Sequence, residues 1–317
     1  MNPMYDFIQR NRVLAKIEKA HQSKASNLEL DDFDLNHFPE ALLNCTELTC
    51  LNLGHNRLTS LPVQLFQLNN ILNLNLEYNS LDKFPTVLKD LPNLTTLNIS
   101  HNPIRSLACI GGLVNLEVLW CNSCCLQSLP EEIGNLVKLN TLGARHNQLL
   151  NLPKSICNLE KLRWLTLEDN KLHSIPKKFE CLQQLIHLNL NRNNFNYIPL
   201  QLTKLKNLRY LHLQSNEIYI VPDAIISNMD YVKINLLKNP LSYPEELNRL
   251  YPNLILPGIE LHNGLEDFQL DSDDSSSDDW ENSLGSSELY YSHSESSSEE
   301  EEVLVEIPKL SKYLVTF

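Results

Sequence analysis

The sequence predicts an α/β solenoid, a curved stack of similar coils whose short strands pair into one parallel sheet on the concave side. A helix is expected to cap its start and a disordered acidic tail to follow its end. Three observations lead there. The pattern L-x-x-L-x-L-x-x-N-x-L-x-x-L-P recurs along most of the chain, the negative charge is concentrated in one late segment, and no catalytic signature competes with the repeat.

The opening stretch "MNPMYDFIQRNRVLAKIEKAHQSK" (residues 1–24) places Phe7, Val13, Leu14 and Ile17 at roughly helical spacing. A solenoid exposes an apolar end unless something covers it, so a capping helix is expected over residues 3–22.

The repeats occupy residues 25–253. They start at Ala25, Leu48, Ile71, Leu94, Leu116, Leu139, Leu162, Leu185, Leu208 and Tyr231, with intervals of 23 residues except for 22 between Leu94 and Leu116. In each unit the L-x-L core reads as a strand that turns its leucines inward. The segment after the proline, such as "VQLFQLNN" after Pro62, closes the coil. One unit cannot bury its apolar edge alone, so neighbours must stack. The recurring Asn (Asn56, Asn79, Asn102, Asn147, Asn170, Asn193, Asn216, Asn239) falls where the chain turns. Its amide is suited to satisfying buried backbone groups of adjoining units. Repeat one departs from the pattern with Phe33 at that position, and "YPEELNRLYPNLILPG" is expected to close the far end.

These units resemble the leucine-rich-repeat family, and in particular its 23-residue intracellular class, which includes Ras-binding scaffolds, polarity scaffolds and the repeat domain of yeast-type adenylyl cyclases. The resemblance covers about 230 residues, from Ala25 to Asn253. It implies a horseshoe-shaped scaffold or adaptor that binds another protein on its concave face, with a small GTPase or a phosphatase catalytic subunit as the partner such relatives suggest. A monomer is expected, and no cofactor or enzymatic activity is implied.

Alternation along each strand puts two rows of side chains on the concave wall. One row runs Asn27, Cys50, Asn73, Thr96, Val118, Thr141, Trp164, His187, Tyr210, Lys233; the other runs Glu29, Asn52, Asn75, Asn98, Trp120, Gly143, Thr166, Asn189, His212, Asn235. From repeat five onward the wall turns aromatic, and Trp and Tyr are common interface anchors. Trp120, Trp164, His187, Tyr210 and His212, with Arg145 and Arg192 beside them, are therefore the candidate protein-binding residues. The two tryptophans are expected to be exposed and to wall a dent floored by Gly143. Charge is graded too: Glu29, Asp31, Asp32 and Glu77 come early, whereas Arg145, Arg192, Arg209, Lys233 and Lys238 come late. Glu168 is expected beside Arg145, and Asp169 between His146 and Arg192.

The stretch "LEVLWCNSCC" contains a Cys-x-x-Cys, but in this register Cys121 points inward and Cys124 takes the place of the recurring Asn. Zinc needs four ligands, and no second pair or suitably spaced His accompanies them. Structural thiols are expected. His146, His187 and His212 come from separate repeats with no carboxylate joining the latter two, and there is no phosphate loop or nucleophile motif, so catalysis and metal binding are not expected.

The net charge of −13 belongs to the tail: residues 266–302 hold fourteen Asp and Glu and no Lys or Arg, leaving the rest nearly neutral. Residues 254–302 are acidic and serine-rich, a composition that cannot fold by itself. Ser275, Ser276, Ser292, Ser296, Ser297 and Ser298 each precede an acidic residue by three positions, the pattern of acidophilic kinases. Residues 303–317 are apolar again and end Val315-Thr316-Phe317, in the form of a class II PDZ ligand. A nearly neutral body gives no reason to expect nucleic acid. No charged-then-apolar leader opens the chain and no apolar run approaches bilayer length, so a soluble protein of the cytoplasm, with the nucleus second, is expected. Two other roles are open at this point, a substrate receptor of a ubiquitin ligase and a histone or basic-protein binder working through the tail.

Overall fold

The computed structural model describes residues 3–242 and 252–256. The phosphosite serines, the PDZ-type terminus, most of the acidic segment and part of the C-terminal closing segment lie outside the described residues.

Each repeat contributes one strand of three residues: β1 Asn27–Glu29, β2 Cys50–Asn52, β3 Asn73–Asn75, β4 Thr96–Asn98, β5 Val118–Trp120, β6 Thr141–Gly143, β7 Trp164–Thr166, β8 His187–Asn189, β9 Tyr210–His212 and β10 Lys233–Asn235. An eleventh strand, β11 Leu254–Ile255, pairs parallel with β10. The sheet runs β1 to β11 in sequence order without crossover. Register is one repeat per strand, as in Leu142 opposite Leu165 and Gly143 opposite Thr166.

The middle residue of each three-residue strand, leucine in β1 to β9 and Ile234 in β10, faces the core, from Leu28 at 7% exposure to Leu188 and Leu211 at 0%. Each fully buried leucine is worth roughly 1.5–3 kcal/mol relative to an exposed one, so the apolar column drives the stacking. The return segments of the first eight repeats are 3₁₀ turns of three to five residues, seven of them opened by proline or lying just past one, such as Val63–Gln67 after Pro62 and Lys154–Asn158 after Pro153, and that of repeat nine is a short α-helix, Asp223–Ile226 after Pro222. Proline suits the start of such a turn because its missing N–H would have no partner there. Neighbouring turns pack tightly: a Cβ on Gly134 would come within 2.6 Å of Ser155.

The inward Asn forms a ladder of hydrogen bonds. In repeat two, the Asn56 amide donates to the carbonyls of Leu30, Leu53 and Gly54, and its oxygen accepts from the backbone N–H of Phe33 and Leu35. Asn79, Asn102, Asn170, Asn193, Asn216 and Asn239 repeat this scheme. Each amide thus ties its own unit to the one before it.

The first helix, α1 Pro3–Ser23, covers the open end through Val13, Ile17 and Ala20. Phe7 and Leu14 were expected to share its buried face but are 66% and 49% exposed. The helix's buried apolar contact with the first repeat is made by the i, i+4 pair Val13 and Ile17, extended to Ala20. Lys16 Nζ donates to the Glu29 carbonyl at 3.0 Å and lies 4.8 Å from the Phe33 ring centroid. That ring takes the place of the ladder Asn. At the other end Tyr231, the first position of repeat ten, is 45% exposed while Met229 and Val232 beside it are fully buried.

Candidate concave binding face

The strands hold five of the seven candidate residues, all but Arg145 and Arg192, because a three-residue strand with its middle residue buried must turn both flanking side chains to the open wall. Successive strands then bring equivalent positions close enough for rings to stack. Trp164 and His187 stack with centroids 5.0 Å apart and planes 22° apart. His187 also meets Tyr210 at 6.2 Å and His212 at 4.9 Å, both tilted by 38°. Lys233 Nζ closes the row 5.9 Å from the Tyr210 centroid. Four of the seven candidates therefore form one continuous aromatic cluster.

Burial within that cluster shapes its electrostatics. His187 was expected to be accessible, but the rings on either side leave it only 4% exposed. Desolvation, with the neighbouring His212 adding to it, holds its pKa well below the usual imidazole value. Desolvation also lowers His212, to about 4. Near neutral pH both imidazoles are uncharged, and the cluster presents aromatic surface.

Two other expectations are corrected. Arg145 is 2% exposed and so not available on the wall. The dent over Gly143 does not exist, because the six-membered ring of Trp120 lies on that glycine and a Cβ there would overlap it. Trp120 and Trp164 are half-buried. Trp120 needs the glycine to lie flat, and it stands apart from the Trp164 cluster as a second apolar plate. Arg192 is exposed, as expected of a wall residue, at a positive φ of 52°. Asp169 pairs with His146 at 2.7 Å, and Glu168 accepts from the Asn189 amide at 3.1 Å.

The early half of the wall is polar and engaged with itself. Asn52, Asn75 and Asn98 accept from the backbone N–H of Gly54, Glu77 and Ser100. Glu77 in turn accepts from the amides of both Asn75 and Asn98. Sequence reasoning missed one feature here: His55, Tyr78 and His101 stack with centroids 4.5 and 3.9 Å apart. They occupy the position just before the ladder Asn, where every repeat has a positive φ. Strand alternation does not reach that position, but three rings in register at one 23-residue interval were a readable signal.

The Cys-x-x-Cys is internal. Cys121 Sγ donates to the Gly143 carbonyl at 3.2 Å, and Cys124 Sγ to the carbonyls of Ile99 and Asn122 at 3.2 and 3.4 Å. A ladder Asn also accepts from the unit before it, yet there the Ile104 N–H turns to the Asn102 carbonyl at 2.7 Å instead. Where repeat five meets the one 22-residue unit a donor suffices, and the Cys124 thiol supplies it. Burial pushes Cys121 well above the usual thiol range and Cys124 to about 12, so both stay protonated. Iodoacetamide should label Cys109, Cys125 and Cys181, which are exposed, and leave Cys121, Cys124 and Cys157 untouched until denaturant is added, as peptide mass spectrometry will show. Among the described residues no group of three His, Cys, Asp or Glu side chains is placed to hold a metal ion, and no helix is long and apolar enough to cross a membrane.

Residues 100–219 match a family model described as a leucine-rich repeat region, and residues 46–104 a second described as leucine rich repeat. The chain is built of leucine-rich repeats. Leucine-rich repeats generally serve as protein-binding scaffolds. No curated protein matches significantly. Among solved structures, a leucine-rich-repeat protein of Leptospira interrogans is 28% identical over 77% of this chain and 80% of its own, with a TM-score of 0.58. The ectodomain of the receptor kinase GASSHO1/SCHENGEN3 from Arabidopsis thaliana, in complex with CASPARIAN STRIP INTEGRITY FACTOR 2, is 26% identical over 70% of this chain, with a TM-score of 0.57. The Arabidopsis receptor kinase HAESA, in complex with the peptide hormone IDA and the co-receptor SERK1, is 27% identical over 69%, with a TM-score of 0.61. The leucine-rich-repeat chain spans only 31% and 39% of those two plant chains.

Proposed function

We propose that this leucine-rich-repeat chain is a non-enzymatic scaffold or adaptor that holds a protein partner on the later half of its concave wall. The observation that carries this reading is the cluster of Trp164, His187, Tyr210 and His212, where four rings from three adjacent strands form one apolar, uncharged surface on the later half of the face. A protein gains nothing in its own stability by leaving Tyr210 37% exposed on its concave wall. Large amphipathic rings on a rigid sheet are instead the composition of interface hot spots. The 23-residue period fits the intracellular class of such repeats, which makes a small GTPase or a phosphatase a reasonable partner and the cytoplasm a reasonable location.

Affinity capture from cell extract with the intact chain and a Trp164→Ala/Tyr210→Ala variant tests the reading. Prominent partners should fall at least ten-fold with the variant while its circular dichroism and thermal midpoint stay close to those of the intact chain. Undiminished capture by a folded variant would sink the proposal.

A further inference from the structure

The later wall carries a second property besides its rings. Arg192, Lys233 and Lys238 are exposed there, and none of them forms an ion pair among the described residues. The acidic residues of the same region, Asp169 hydrogen-bonded to His146 and Glu168 to Asn189, keep their charge but are outnumbered by these cations. Both clustered histidines are neutral and add no charge. What the surface offers a partner is therefore an aromatic patch bordered by three cations. The early wall has the opposite sign: Glu29, Asp31, Asp32 and Glu77 stand there with no Lys or Arg in the corresponding rows.

We infer that the occupant of the later wall is an acidic protein segment with an aromatic or aliphatic anchor, the anchor seated against Trp164 and Tyr210 and its flanking carboxylates against Arg192, Lys233 and Lys238. This inference rests on the reading of the later wall as the binding face and specifies the chemistry of its partner. Charge complementarity selects an acidic segment and steers it to one end of the wall, since the early repeats would repel it. The ring arrangement favours a peptide over single-stranded nucleic acid. Trp164 and His187 already stack on one another at 5.0 Å, so no base can slot between them, whereas an apolar side chain needs only their edges and outer surface. Lys233 is itself held 5.9 Å from the Tyr210 ring, which keeps its charge beside the anchor position.

Titration of the full chain with fluorescein-labelled dodecapeptides tests this, read by fluorescence anisotropy. One peptide is glutamate-rich with a central Trp, one replaces every Glu by Lys, and one keeps the glutamates but replaces Trp by Ser. The first should bind at least ten-fold more tightly than either of the others. Its affinity should fall at least ten-fold on an Arg192→Asp/Lys233→Glu/Lys238→Asp variant, in which aspartate suits the two positive-φ positions because Asp32 and Asp169 already occupy that row. Equal binding of the acidic and basic peptides, binding indifferent to the charge reversal, or displacement of the peptide by an oligouridylate of equal length would overturn the inference. Running the charge-reversed variant through the extract capture separates the two proposals. Partners that persist there but are lost with Trp164→Ala/Tyr210→Ala leave the scaffold reading standing and remove the acidic-segment chemistry; partners lost with neither variant remove both.

Discussion

Asn193→Leu is expected to destabilise the solenoid by about 3 kcal/mol or more, the largest effect of any single conservative change on this chain. The Asn193 amide donates to the carbonyls of Leu167, Leu190 and Asn191, and its oxygen accepts from the backbone N–H of Leu172. Leucine keeps the same branched heavy-atom skeleton, so the main cost is the lost hydrogen bonding. It strands one buried N–H and removes the donor to three carbonyls, at roughly 1–3 kcal/mol for each group left without a partner. The loss falls on the junction between repeats seven and eight, and in a stack held by nearest-neighbour interfaces a weak junction lowers cooperativity as well as stability. Urea unfolding followed by circular dichroism should show a lower midpoint and a shallower transition. Cys124→Ala is the internal comparison: it removes only two weak thiol donations and leaves no N–H without its acceptor, so its cost should be about 1 kcal/mol. Equal effects from the two substitutions would mean that the ladder is not what couples the repeats.

The same contrast shows how far the sequence could be read. A fixed period assigns every position to a face, which is why both concave rows, the inward Asn and the inward Cys121 and Cys124 are legible in the sequence alone. Period says nothing about how far a side chain travels after leaving the backbone. Trp120 leaves β5 on the concave side and then lies over Gly143 of β6, filling the dent that spacing alone suggested. Arg145 likewise belongs to a wall position by count and is 2% exposed. His187 is hidden by the neighbours that made it a candidate, since rings repeated one strand apart must cover one another. The stack of His55, Tyr78 and His101 went unread because its position follows the strand and adopts a positive φ, outside the alternation used to assign faces. Which residues share the wall was legible; which of them a partner can touch depended on packing between units.

Acid should weaken this protein through His187 and His212. Both have native pKa values below the ordinary imidazole value of about 6.5, His187 well below it and His212 near 4. Between roughly pH 6.5 and 4 the unfolded chain therefore binds protons that the native chain refuses, and stability must fall as pH falls through that window. Above it neither state is protonated and the contribution is fully retained. From pH 7 to pH 5 the pair should cost about 3 kcal/mol, a figure already reduced because His212 keeps some contact with solvent. Carboxylates titrate over part of the same range, so the useful quantity is the difference between the intact chain and a His187→Phe/His212→Asn variant. Urea unfolding at pH 7 and pH 5 should show a pH loss in the variant smaller by about that amount. An unchanged loss would mean that the imidazoles are hydrated and charged in the native wall. The wall would then present cations where the geometry shows stacked neutral rings, and the apolar anchor site on the later repeats would have to be abandoned with it.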